Sequence, residues 1–132
     1  MAPRLGDRAG MTEIVDHVRL PAEPASAGAA RRFVASALDD DDPVTELAVL
    51  LVSEIASNAI VHARTPFEIK VHVSDARLRV EVIDGDAAVP VMRAYAPSSE
   101  SGRGMHIVAA TADRWGCEPS RAGKCVWFEL DR

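Results

Sequence analysis

Two neighbouring stretches alternate apolar and polar residues with a period of two. Phe67 to Ser74 (FEIKVHVS) places Phe67, Ile69, Val71 and Val73 on one face, and Arg77 to Asp84 (RLRVEVID) places Leu78, Val80 and Val82 on one face. This is the pattern of half-buried strands, and Asp75-Ala76 between them reads as a tight hairpin turn. Lys70, His72, Arg79 and Glu81 fall on the opposite face. The sheet is therefore expected to be antiparallel with one side in solvent, and His72 to be an exposed strand residue without a role. Glu13 to Leu20 alternates well enough for an earlier strand stopped by Pro21. Trp115 to Glu118 and Lys124 to Leu130 (KCVWFEL) predict a last pair of strands across a turn at 119–123.

Elsewhere the apolar residues recur at helical spacing. Ala29, Ala30, Phe33, Val34, Ala37 and Leu38 predict a first helix over 25–38, ended by Asp39 to Asp42, which read as a solvated turn. Leu47 to His62 (LAVLLVSEIASNAIVH) runs without a breaker after Asp42-Pro43, an N-cap candidate followed by a proline where a helix tolerates one. On a helical wheel Leu47, Leu50, Leu51, Ile55 and Val61 form one arc, with Glu54 and Asn58 projecting from its middle. A buried unpaired carboxylate costs several kcal/mol, so these two need partners or a cavity. Either they form a site, or Glu54 pairs with an arginine and Asn58 caps a backbone group. Gly85 to Ser101 has no period and reads as a loop, and Gly102-Arg103-Gly104 opens a helix over 105–113.

Strands bunched together rather than alternating with helices indicate an α+β fold. The expectation is a two-layer sandwich, a mostly antiparallel mixed sheet covered on one face by about three helices. Residues 1–12 carry no period and are expected to be disordered; residues 13–132 form a single domain.

Composition narrows the function classes. The 132 residues carry a net charge of −5, and the basic residues are scattered, so direct nucleic-acid binding is not expected. Basic residues followed by a signal-type apolar core are missing, and no apolar run of ~18 residues is apparent, which predicts a cytoplasmic protein with no membrane association. Cys117 and Cys125, eight apart without a CxxC, argue against zinc and fit reduced thiols.

Three features carry chemistry. Glu54 and Asn58 lie one turn apart, Asp84 ends an apolar strand before Gly85, and Gly102-x-Gly104 stands at the start of a helix whose N–H groups favour a phosphate. Their order and spacing resemble the GHKL nucleotide-binding domain, the Bergerat fold of histidine kinases, gyrase B and MutL. SEIASNAIVHA is similar to that family's N-box, VIDGD to its first glycine box and SGRGMHIV to its second, over roughly Val44 to Leu130. The opening LPAEPASAGAARRFV, ADRWG and the final GKCVWFEL look like the anti-sigma-factor serine-kinase branch found in actinomycetes.

The resemblance implies ATP and Mg²⁺ as cofactors. It assigns Asn58 to the metal and Glu54 to general-base catalysis, for which burial on a packed helix face is the usual preparation. It makes Asp84 the acceptor for the adenine amino group, and it makes the Gly85 to Ser101 loop a lid. Gly102, Arg103, Gly104 and Met105 would cradle the phosphates. Cys125 stands where the branch usually has a threonine that supports the adenine-binding aspartate, and a thiol is a weak substitute. The first box also lacks the wider family's glycines after Gly85. The implied function is an anti-sigma factor with serine kinase activity on a STAS-type anti-anti-sigma partner, in a homodimer. The alternative is a nucleotide-sensing or nucleotide-independent switch that holds a sigma factor without phosphorylating anything.

Overall fold

The computed structural model describes residues 14–87 and 100–132; residues 1–12 and most of the expected lid lie outside the described residues. The chain runs β1 (Ile14–Leu20), α1 (Ala25–Ser36), α2 (Thr45–Asn58), a π-helical turn (Ala59–Ala63), β2 (Phe67–Val73), β3 (Arg77–Asp84), α3 (Glu100–Thr111), β4 (Arg114–Pro119) and β5 (Lys124–Asp131). The sheet order is β1-β2-β3-β5-β4. Among the described residues all four strand pairings are antiparallel, so the expected α+β fold with a mostly antiparallel sheet is found, without a parallel pair there.

Register turns the period-two pattern into layers. Val71 pairs with Val80 and Val80 with Phe128, while Val73 pairs with Leu78 and Leu78 with Leu130, so each rung lays three core residues side by side. These side chains are buried under the helices. Onto them α1 sets Ala30 and Val34, α2 sets Ala48, Leu51, Val52, Ile55 and Ala56, and α3 sets Met105 and Val108. The many alanines let helix backbones approach closely, which is how so few aromatics fill this core.

α2 departs from expectation in three respects. Its first helical residue is Thr45; Asp42 Oδ1 accepts from the Val44 N–H at 3.0 Å, capping one residue outside the helix rather than at it. Its buried stripe is rotated about one residue step from the expected arc: Leu50 and Val61 are 43% and 56% exposed, while Ala48, Val52 and Ala56 are buried. The wheel weighted large side chains, whereas the sheet selects the small ones. Finally, α2 and its π turn form one 19-residue helix (Thr45–Ala63) long and apolar enough to cross a membrane by composition, against the expectation of no such run. Its apolar residues are largely used in the domain core.

The sheet face away from the helices is not bare solvent. Arg79 Nε donates to Glu81 at 2.8 Å and its Nη1 to Glu129 at 3.0 Å, and its guanidinium lies 4.2 Å over the Trp127 ring. Arg114 Nε also donates to Glu129, at 2.7 Å. His72, 3.8 Å from Glu81 through Nε2, is therefore half-buried in a charged layer and not the exposed residue expected. The His72 ring, opposed by burial and aided by Arg79, holds the Glu81 carboxyl down at about 2.

Leu51→Ala should lower unfolding free energy by about 2–5 kcal/mol in urea titration, and Leu50→Ala by no more than ~0.5 kcal/mol. Equal losses would mean that the buried stripe has been misplaced. Glu81 makes a second prediction. Its folded pKa lies below its unfolded one of about 4.5, so its contribution is complete above that pH, shrinks as pH falls and is gone below about 2. Glu81→Gln should therefore remove this group's share of the difference in stability between pH 5 and pH 2.5, up to about 2 kcal/mol.

Candidate functional site

Glu54 and Asn58 lie on the flank of the buried stripe of α2, both half-buried. Among the described residues neither side chain has a hydrogen-bond or ion-pair partner, so the structural alternatives to a site are not realised there. The helix α3 packs directly on this flank. A β-carbon placed on Gly104 would stand 2.9 Å from Glu54 Oε1 and 3.3 Å from Glu54 Cβ, so glycine is what lets α3 approach the carboxylate. The Gly102-Arg103-Gly104 segment lies within the first turns of α3, which begins at Glu100, rather than preceding the helix. Met105, expected among the cofactor contacts, points into the core and is 2% exposed.

The helix carrying Glu54 and Asn58 ends in a π turn that Arg64 closes in the left-handed region (φ 57°), its N–H bonding back to Ala59 O at 2.9 Å. π turns are often retained at functional positions, and a non-glycine residue in this conformation costs on the order of 1 kcal/mol. His62 in this turn is exposed. Immediately beyond, Thr65 Oγ1 accepts the Gly85 N–H at 2.8 Å. The end of α2 and the end of β3 are thereby tied together, and the N–H of the first-box glycine is committed to Thr65.

Asp84 closes β3, the central strand, with its side chain 4% exposed. It is held by Lys124, which faces it across the β3–β5 ladder: Lys124 Nζ lies 3.0 Å from Oδ2 and 3.1 Å from Oδ1. Oδ1 also accepts the Asp86 N–H at 2.9 Å, and Lys124 Nζ donates to Asp86 O at 3.0 Å. Gly123 covers this cluster: a β-carbon there would lie 2.2 Å from Asp84 O and 2.6 Å from Gly85 C.

Cys125 does not join the site. One residue beyond Lys124, its side chain emerges on the charged outer face; burial, followed by the nearby Glu81, pushes its thiol up to about 12. The residue that supports Asp84 is Lys124. Its signal was in the sequence, because Lys124 shares strand parity with Val126, Phe128 and Leu130, and a lysine at a core-facing position needs a buried acid. Thr65 and Gly123, also missed, depend on contacts between elements that no local pattern announces. Cys117 packs against the core side instead, and both cysteines are free thiols.

Gly123→Ala meets backbone that cannot withdraw and should cost about 3 kcal/mol or more in denaturant unfolding. Gly104→Ala meets the movable end of Glu54 and should cost less than about 1 kcal/mol. The reverse order would overturn this account of the two glycines.

The five-stranded sheet with three helices on one face, a one-turn Glu54–Asn58 pair, a buried aspartate ending the central strand and a glycine-containing helix start agree with the Bergerat arrangement. No curated protein matches the chain significantly. The family model of the histidine kinase-like ATPase domain (HATPase_c_2) matches residues 20–130, so the chain belongs to that family and is an ATP-binding domain of GHKL type.

Proposed function

We propose that this domain is an anti-sigma factor with Mg²⁺-dependent serine kinase activity on a small STAS-type anti-anti-sigma protein, acting in the cytoplasm. The observation that supports it best is the pair Glu54 and Asn58: one turn apart on an accessible flank of α2, unengaged by described residues, with the start of α3 packed against Glu54.

In this reading each group has one task. Asp84 accepts a hydrogen bond from the base amino group, and the start of α3 presents backbone N–H groups to the phosphates. Asn58 offers a side-chain oxygen. Mg²⁺ takes most of its ligands from phosphate and water, so one amide fits it, and among the described residues no group of three or more acidic, histidine or cysteine side chains forms a metal cage. Bound there, the ion would neutralise charge on the phosphates. Glu54 takes the proton of the partner's serine hydroxyl as that oxygen bonds to the γ-phosphorus and the bond to the ADP oxygen breaks. Its half-exposed position keeps it within reach of a hydroxyl from outside. Phosphorylation releases the STAS protein and leaves the domain free to hold a sigma factor. The exposed Arg31 and Arg32 on α1 are offered as contacts for such partners, Arg31 already braced by Ser53 Oγ at 3.0 Å.

Incubation with γ-labelled ATP, Mg²⁺ and a panel of STAS proteins should yield phosphoserine, and Glu54→Gln should slow its formation by about 10²–10⁴-fold. Label transferred at the wild-type rate by the variant would remove Glu54 from the chemistry. Capture of a sigma factor with no transfer to any STAS protein would favour the switch that binds without phosphorylating.

A further inference from the structure

Gly28 stands inside α1, where glycine is a poor helix former. A β-carbon there would lie 3.2 Å from Arg32 Nη1 and 3.5 Å from Arg31 Nη2, so two guanidiniums fold back over the bare backbone to one point. Among the described residues neither has a carboxylate partner, and the pair's hydrogen bond runs from Arg31 Nη1 to Ser53 Oγ at 3.0 Å. Like charges brought together repel, so the arrangement is disposed to take an anion between its forks. The bond to Ser53 anchors it beside the residue that precedes Glu54.

The outward side of α2 continues this surface. Ser53 and Ser57, half-buried and small, form a low stretch between Leu50 and Val61, which are 43% and 56% exposed. Leu50 lies four residues before Glu54 and Val61 seven after it, about 6 and 10 Å along the helix at ~1.5 Å per residue. An extended peptide advances ~3.3 Å per residue, so two of its residues span the first interval and three the second.

We infer that this ridge reads the sequence around the acceptor serine of the protein substrate: a carboxylate beside the serine binds the Arg31–Arg32 pair, and apolar side chains two residues to one side and three to the other rest on Leu50 and Val61. The inference rests on the serine-kinase reading with Glu54 as base. A substrate segment is the occupant, and not a second copy of this chain, because the ridge is continuous with the carboxylate that such a segment must reach. Two adjacent forks suit a carboxylate, which accepts paired N–H donors. None of these groups touches the nucleotide in this arrangement, so they set which serine is presented and leave the transfer itself to Glu54.

The test takes a STAS protein that the wild-type domain phosphorylates and compares wild type, Arg31→Ala/Arg32→Ala and Leu50→Asp in steady-state kinetics with γ-labelled ATP. Either variant should raise KM for the protein substrate by about 10-fold or more, while kcat and KM for ATP stay within about 3-fold. Higher ionic strength should move the wild-type KM toward that of the arginine variant. Replacing the substrate's acidic residue nearest the acceptor serine by lysine should cost wild type about 10-fold in KM, and Arg31→Glu/Arg32→Glu should recover most of that loss. An unchanged KM for the protein substrate overturns the inference, as does a substrate with no acidic residue beside its serine. Sedimentation tests the other occupant: a dimer lost in Leu50→Asp with KM unchanged gives the ridge to a second copy and overturns the inference. Transfer to no STAS protein would instead overturn the kinase reading, and this inference with it.

Discussion

The buried ion pair between Asp84 and Lys124 is the constraint on which the site depends. Two charges withdrawn from water are tolerated only when each has its partner, because an orphaned charge costs several kcal/mol. Here satisfaction requires both strand ends, the Asp86 peptide and a bare glycine above them, so the turn between β4 and β5 cannot shift without exposing a charge. The pair thus converts the end of an ordinary antiparallel ladder into a rigid platform. Thr65 extends the platform to the end of α2, and Gly104 brings α3 onto the same helix. Four segments distant in sequence are held by three contacts that each involve a glycine.

The two sides of the sheet divide the work. The helix-covered face is alkyl and small-residue packing, ending at Asp84. The other face is a layer of arginines and carboxylates over Trp127, in which Arg79 serves Glu81, Glu129 and the indole at once. Pairs of this kind contribute little singly when exposed, but here they shield one another and hold Glu81 far below its ordinary titration range. Cys125 belongs to this layer, so a substitution that looked like a defect of the nucleotide site is a feature of the opposite surface.

Much of this was legible in the sequence. Strand β3 was expected over 77–84 and is found there, because alternation fixes both the extent and the face of a half-buried strand. Glu54, Asn58 and Asp84 could be singled out as candidates because their spacing survives without any tertiary information. What failed was phase. On α2 the wheel could not tell which arc meets the sheet, so Leu50 and Val61 were assigned inward and Ala48 and Ala56 were overlooked. On β5 an offset of a single residue separates Lys124 from Cys125 and therefore one face from the other.

Phase also gives the π turn its significance. Between Asn58 and Thr65 the chain must leave a helix that faces the core and arrive with a hydroxyl aimed at Gly85. A helix advances by about 100° per residue, so removing one residue to restore regular α geometry would swing everything beyond it by more than a quarter turn. The π turn is in this sense a spacer that tunes angle rather than length, and the left-handed Arg64 is the stop that sets it. The reading frame of the site, helix against strand, is kept by five residues that contribute no chemistry of their own.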